Sequence, residues 1–345
     1  MKLEHGGNVH AACIRFGGRP ADWTDLSTGV NPSSWPVPVI PQSVWQQLPN
    51  ADGVLESLAA DYYGVTHQDL LAVPGSQWAI QQVPGLAAHG RVAIPCPGYA
   101  EHALAWRESG HTPVHYRDLK HLDTLVRARA VDHAVVINPN NPSGEYGAPG
   151  RLLELSVQLG ERGGCLLVDE AFMDVRPADS LCQVGPSPAL LILRSVGKFF
   201  GLAGLRLGFV VAAAPWLRRL EAHLPPWSVS GPARWIGERA LADRAWQSAQ
   251  RLALADRAAD WQRYLRRTLP QLDAVGTELF VTLQGDPLRC QALYEGLAQR
   301  RLLARLFAPV NGVGRLRLGL PPAPVAGQVK RSLELMIEEH ACDFV

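Results

Sequence analysis

Lysine is nearly missing from this chain of 345 residues: only Lys2, Lys120, Lys198 and Lys330 occur among its 33 basic side chains. Arginine supplies the rest. A chain that uses arginine almost everywhere keeps a lysine inside an apolar, glycine-rich stretch for something a guanidinium cannot do, such as forming an imine. An excess of one charge sign is missing too. The 33 basic and 32 acidic residues form no long run of either kind, which removes the electrostatic case for nucleic acid or an anionic membrane and leaves a small molecule as the expected partner. Paired cysteines are absent: Cys13, Cys96, Cys165, Cys182, Cys290 and Cys342 are scattered with no CxxC spacing. In a chain too large to need disulfide staples they read as reduced, buried cytosolic thiols, and no metal site is expected. No apolar run reaches spanning length and no signal-like apolar core opens the chain, so the expectation is a cytoplasmic protein.

What is present has an order. The length suggests one large domain and a smaller one. Residues 1–40, rich in glycine, proline and polar side chains, read as an N-terminal arm contributing to the active site and the small domain. Short apolar runs follow at Val92–Pro95, Ala134–Asn138, Cys165–Asp169, Leu190–Arg194 and Leu207–Ala212. Stretches long enough for helices separate them. That alternation predicts an α/β fold with a mostly parallel sheet flanked by helices in a large domain, residues 41–225. From about Pro225 the text turns to Arg/Ala/Leu helix followed by apparent strands at Glu278–Leu283 and Arg315–Leu320, predicting a smaller α+β domain over 226–345.

In an open α/β sheet, ligands bind beyond the carboxyl ends of the strands. Five such places carry conspicuous text: CPGYAEH with Tyr99, NPNNPSG with Asn141, Asp169 after LLV, SVGK with Lys198, and GLAGLRLG with Arg206. In their order and spacing NPNNPSG, LLVDEAF and SVGKFFGLAGLRLG resemble the motif set of fold-type I pyridoxal phosphate (PLP) enzymes, the class I/II aminotransferases, over nearly the whole chain. The resemblance implies the PLP-dependent transferase fold, with Lys198 carrying PLP as an imine and later acting as proton carrier at the substrate α-carbon. Asp169 would keep the pyridine nitrogen protonated, so that the ring serves as an electron sink. Asn141 would bond the phenolic oxygen, and Tyr99 would stack on the ring.

The PLP phosphate needs several donors. Gly75, Ser76 and Gln77 in VPGSQWAI read as strand, turn and helix start, offering backbone N–H groups and a helix N-terminus. Ser195 and Arg206 match the family's other phosphate ligands. Tyr62, with Tyr63 beside it, resembles the tyrosine that a homodimer lends to its neighbour's cofactor. Arg315, in GRLRLG, falls where the family grips the substrate's α-carboxylate; it is preferred to Arg317, expected on the opposite side of the strand. Glu170 is expected to make structural contacts. Phe172 stands where many relatives have a tyrosine that hydrogen-bonds the phenolic oxygen. Loss of that donor disfavours the phenolate and puts ordinary transamination in doubt.

The HGGN arm, with LSTGVNP and the DEAF variant, resembles the branch of this family that decarboxylates a phosphorylated amino acid. His5, Gly6, Gly7, Asn8 and Asn31 would then receive a substrate phosphate. The histidinol-phosphate aminotransferases are the alternative, because cofactor motifs alone do not separate the two chemistries. A catalytically inactive regulatory or binding protein of the same fold is the second alternative, and the filled cofactor positions speak against it.

Overall fold

The computed structural model describes residues 5–185 and 187–339; Cys342, among the expected buried thiols, lies outside them. In chain order its strands are β1 (Thr24–Asp25), β2 (Leu70–Val73), β3 (Arg91–Pro95), β4 (Thr112–Tyr116), β5 (His133–Ile137), β6 (Leu166–Asp169), β7 (Leu190–Ser195), β8 (Gly208–Ala212), β9 (Asp273–Gly276), β10 (Phe280–Gly285), β11 (Leu302–Leu303), β12 (Arg305–Val310) and β13 (Val313–Gly319). They divide between two compact units.

The larger unit comprises Trp35–Asn141 and Glu145–Ala249. Its seven-stranded sheet has the order β2-β8-β7-β6-β5-β3-β4, with β8 antiparallel to both its neighbours and the other pairings parallel. The five apolar runs of the sequence are β3, β5, β6, β7 and β8. Every residue of β5, β6 and β8 is buried, as expected of strands covered on both faces. The core gathers Val73, Ile80, Val83, Ile94, Trp106, Leu167, Leu191, Leu193 and Val210 between the sheet and the helices Ser76–Leu86, Ala100–Glu108 and Ala214–Glu221. Burying each large aliphatic side chain contributes on the order of 1.5–3 kcal/mol.

This unit extends past the expected boundary at 225–226. The helix Gly231–Ala242 belongs to it, packed on the helix Val54–Tyr63 through Gly237 against Leu55 and a bidentate Arg234–Glu56 pair at 3.0 and 2.7 Å. Its Arg/Ala/Leu text resembles that of the following helix, so composition gave no sign of the division.

The second unit holds the residues up to Ser34, the turn Pro142–Gly144 and the chain from Gln250 onward. Its antiparallel sheet has the order β12-β13-β10-β9, and β1 pairs in parallel with β11. The helix Pro287–Gln299 packs so closely on β13 that a Cβ on Gly314 would come within 2.6 Å of Pro287 Cα. The N-terminal residues are less arm-like than expected. They include the helix Val9–Phe16, capped by Asn8, whose Ala12 is buried with Trp23, Ala298 and Leu303. Among the described residues no helix is long and apolar enough to cross a membrane. Cys165, Cys182 and Cys290 are buried free thiols, whereas Cys13 and Cys96 are only half-buried.

Candidate active site

The carboxyl ends of β3, β5, β6 and β7 deliver the larger unit's candidate residues. Asp169 ends β6 and is 5% exposed. Its Oδ1 accepts the Ala171 N–H at 3.0 Å, and its Oδ2 lies 3.0 Å from Nε2 of the fully buried His102. With the carboxylate ionised, Nε2–H is the donor. His102 was not foreseen from the sequence. It sits one helical turn after Tyr99, the spacing that puts two side chains on one helix face, and their rings meet edge-on at 6.1 Å. The Tyr99 hydroxyl donates to Gln77 Oε1 at 3.0 Å, and Gln77 Nε2 donates to Glu101 at 3.1 Å. The Gln77 side chain therefore braces Tyr99, leaving its backbone N–H for an anion.

Gly75 turns the chain from β2 into the helix Ser76–Leu86 with φ 79° and ψ 150°. A Cβ there would lie 2.7 Å from Arg206 Nη2, and one on Gly208 would lie 2.6 Å from Ser76 N. The two glycines thus hold open a cradle floored by backbone and by a guanidinium. Arg206 itself is left-handed at φ 54°, a conformation the local fold must impose. Ser195 ends β7 and caps the short helix Val196–Phe199, its Oγ accepting the Gly197 N–H at 3.3 Å. Lys198, on that helix, is half-buried, with Nζ 5.5 Å from the centre of the buried Phe172 ring. Asn141 is half-buried in the turn beyond β5. That turn is fixed by Asn138, which exchanges two bonds with the Gly147 backbone, and by Asn140, whose amide donates to Pro97 O at 3.0 Å.

Of the two tyrosines, Tyr63 is committed inward: the Arg194 guanidinium lies 4.6 Å from its ring centre, and burial, with Asp174 nearby, pushes its phenol well above the ordinary range. Tyr62 packs against Phe200, two residues after Lys198, at 5.7 Å, with Arg244 over its ring.

The second unit brings the arm and the LSTGVNP loop together. Gly7 N donates to Ser27 Oγ at 2.7 Å, and a Cβ on Gly6 would come within 2.4 Å of Ser27 O, so the pair of glycines is required for this approach. His5, Gly6, Gly7 and Asn8 line a cavity of about 770 Å³ with Ser27 and Arg305. Asn8 spends its side-chain oxygen on the helix cap, accepting Ala11 N–H at 3.1 Å. Asn31, 2% exposed, accepts Ser33 N–H and the Gln250 amide.

The expectation for Arg315 and Arg317 needs correction. Side chains two apart on a strand share a face, so the two arginines lie on the same side of β13. Cross-strand pairing adds Arg305 opposite Arg317, and Phe307 and Gln284 opposite Arg315. Three guanidinium groups therefore share one face of this sheet. The like-charged neighbours Arg305 and Arg317 would disfavour each other in the absence of anions. Arg317 is the buried one, 7% exposed, donating to Ser27 O and lying 5.5 and 5.7 Å from the Phe280 and Phe307 rings. Arg315 is half-buried and turns back to Val313 O. The two-residue turn Asn311–Gly312, with φ 52° and 76°, marks a hairpin in the sequence, but the register shifts by one between Phe307 and Val310, so the facing of Arg305 and Arg317 was not readable from the turn.

The family model for aminotransferase class I and II matches residues 42–334. A threonine-phosphate decarboxylase of Pseudomonas aeruginosa is 44% identical over 319 residues, covering 92% of this chain and 93% of that protein. A second enzyme of that name, from a Sinorhizobium species, is 40% identical over 93% of this chain and 94% of its own length. Among solved structures, the histidinol-phosphate aminotransferase of Sinorhizobium meliloti, in complex with pyridoxal-5'-phosphate, superposes with a TM-score of 0.82 at 19% identity, covering 98% of this chain and 96% of that one. That likeness speaks for the fold.

Proposed function

The chain belongs to the class I and II aminotransferase family, and within it we propose a PLP-dependent carboxy-lyase converting L-threonine O-3-phosphate into (R)-1-amino-2-propanol O-phosphate, a step of cobalamin biosynthesis. The observation that carries this reading is the 44% identity, across more than nine-tenths of both chains, to a threonine-phosphate decarboxylase.

The larger unit fits the cofactor. The glycine cradle at Gly75 and Gly208, closed by Arg206, suits its phosphate, together with the N–H groups of Ser76 and Gln77 and the Ser195 hydroxyl. We assign Lys198 as the covalent attachment, Asp169 as partner of the ring nitrogen, Tyr99 as the ring's stacking partner and Asn141 as donor to the phenolic oxygen. When bound, PLP supplies an electrophilic carbonyl for the substrate amine and a protonated ring that delocalises the electron pair left by a departing carboxylate.

The protein's part is binding, orientation and proton handling. His102 Nε2 and the Ala171 N–H orient the Asp169 carboxylate, the group that would hold the ring nitrogen protonated. Lys198 Nζ would be the group that returns a proton to the α-carbon. Substrate carries two anionic groups, and we assign both to the second unit: the carboxylate to Arg317, with Arg315 beside it, and the phosphate to Arg305 with the arm residues His5, Gly6, Gly7 and Asn8, and to Asn31. Which bond breaks is set by which one stands perpendicular to the conjugated ring. A decarboxylase must hold the carboxylate rigidly, and a guanidinium that itself donates to Ser27 O and lies 5.5 and 5.7 Å from the Phe280 and Phe307 rings would give that fixity. Phe172, unable to donate a hydrogen bond, is consistent with the same chemistry.

We further propose a cytoplasmic homodimer in which Tyr62 serves the neighbour's cofactor phosphate. Support comes from the exposed apolar side chains Val39, Trp45, Leu48 and Trp227 in the same unit, the kind of surface that marks an interface.

Supplying L-threonine O-3-phosphate or histidinol phosphate, each with and without 2-oxoglutarate, tests the reading. The lyase consumes the first without any keto acid and yields 1-amino-2-propanol O-phosphate. Glutamate formed from histidinol phosphate, with threonine phosphate untouched, would establish the aminotransferase instead.

A further inference from the structure

Beneath the strand ends that carry Asp169 and Ser195 lies a buried ionic cluster that the chemistry above leaves unused. Arg194, 1% exposed, donates through Nη1 to Glu170 and through Nη2 to Asp174, both at 2.5 Å, and both carboxylates are fully buried. Ser180 Oγ donates to Glu170 Oε2, the Leu181 N–H donates to Glu170 Oε1 at 2.8 Å, and Tyr63 covers the guanidinium face. One guanidinium thus joins two buried carboxylates.

The placement of the trio has a specific consequence. Side chains alternate across a sheet. Asp169 pairs with Leu193 in the β6–β7 register, so Asp169, Leu193 and Ser195 point to one face, and Glu170 and Arg194 to the other. The Glu170–Arg194 pair locks β6 to β7 at the two residues flanked by Asp169 and Ser195, four positions before Lys198. Asp174 extends the lock to the segment that follows Phe172, and Tyr63 to the helix that carries Tyr62. Hydrophobic packing would hold the strands together without fixing the distance between their ends so closely, since a bidentate fork is directional and apolar contact is not.

We propose that Arg194, with Glu170 and Asp174, is a positioning network that sets Asp169, Ser195 and Lys198 at the spacing the cofactor requires. The proposal rests on the reading of the larger unit as a PLP site. Replacing a buried ion cluster wholesale with apolar residues of similar volume is often neutral or stabilising, whereas removing one member leaves an uncompensated charge. Stability and positioning can therefore be separated. The test compares the parent holoenzyme with Glu170→Gln and with the triple variant Glu170→Met, Asp174→Leu, Arg194→Met, reading three quantities: melting temperature of the apo form, PLP dissociation constant by equilibrium dialysis, and the visible band of bound PLP. The triple variant should melt near the parent yet bind PLP at least tenfold more weakly with a shifted band, and its kcat should fall more than its KM rises. Glu170→Gln, which keeps the shape and an oxygen for Leu181 N–H, should lose threefold or more in PLP affinity and decides the matter if the triple variant fails to fold. Parent-like affinity and spectrum in the folded variants would overturn the proposal, since a purely structural cluster would move only the melting temperature. A parent that takes up no PLP would instead sink the cofactor reading on which it rests.

Discussion

Replacing Gly75 with alanine separates the cofactor cradle from ordinary stability. At φ 79° and ψ 150° the residue occupies a region essentially restricted to glycine, where another side chain costs about 1–3 kcal/mol. The new Cβ would also stand 2.7 Å from Arg206 Nη2. Because a guanidinium at the end of a flexible side chain yields more readily than backbone, the expected relaxation moves Arg206 away from the anion it would hold. A hydrogen bond to a charged group contributes about 1.5–3 kcal/mol, so PLP retention should weaken by roughly 10- to 150-fold at about 1.4 kcal/mol per decade. The apo protein should melt a few degrees lower, at about 2–4 °C per kcal/mol. Equilibrium dialysis against PLP and a thermal melt of the apo form measure the two effects. Arg206→Ala is the control: it should lose similar affinity without the backbone strain, and adding Gly75→Ala to it should lower the melting temperature further while changing PLP affinity little. A Gly75→Ala protein that binds PLP as tightly as the parent would show that the cradle has been misassigned.

Asp169→Asn should retain PLP but lose several orders of magnitude in turnover, because a neutral ring nitrogen is a much poorer electron sink; near-normal kcat would mean the ring lies elsewhere. Arg317→Ala should cut kcat/KM for threonine phosphate by at least a hundredfold and Arg315→Ala by much less, a difference that steady-state kinetics reads directly; the reverse order would restore Arg315 to the role first expected of it. His133, buried against Trp106 and bonded to Ala88 O, is held below its ordinary value of 6.5, chiefly by burial and further by His111, although the Ala88 bond and Asp132 pull the other way. The fold thus favours its neutral form, so its contribution to stability is complete above the unfolded value and is lost as pH falls through the lower folded one. Melting temperature should drop as pH falls below about 6.5, less steeply in His133→Asn, and equal slopes in the two proteins would count against it.

How much of this was legible beforehand follows from which interactions are local. Strands buried on both faces announce themselves as apolar runs, so β3, β5, β6, β7 and β8 were readable, and with them the places where Tyr99, Asn141, Asp169 and Lys198 emerge. The helix Val9–Phe16 was overlooked because glycines on either side of it masked an apolar spacing that Asn8 caps. His102 became visible only when its contact with Asp169, 67 residues away, was formed. Arg305 and the depth of Arg317 depend on β12–β13 pairing, and the extent of the larger unit depends on the Arg234–Glu56 contact across 178 residues. The cluster around Arg194 draws on four separate segments, and nothing in any one of them marks it.

In a decarboxylase the bond to the carboxylate breaks and the bond to the α-hydrogen does not, and deuterium reads that choice atom by atom. L-threonine O-3-phosphate is turned over in heavy water without a keto acid, and product and remaining substrate are examined by proton NMR. Decarboxylation gives 1-amino-2-propanol O-phosphate carrying one deuterium on the carbon that lost its carboxylate, with the original hydrogen still beside it, and no exchange in the remaining substrate. Recovered substrate that has exchanged its α-hydrogen, with no decarboxylated product over many enzyme equivalents, would contradict it.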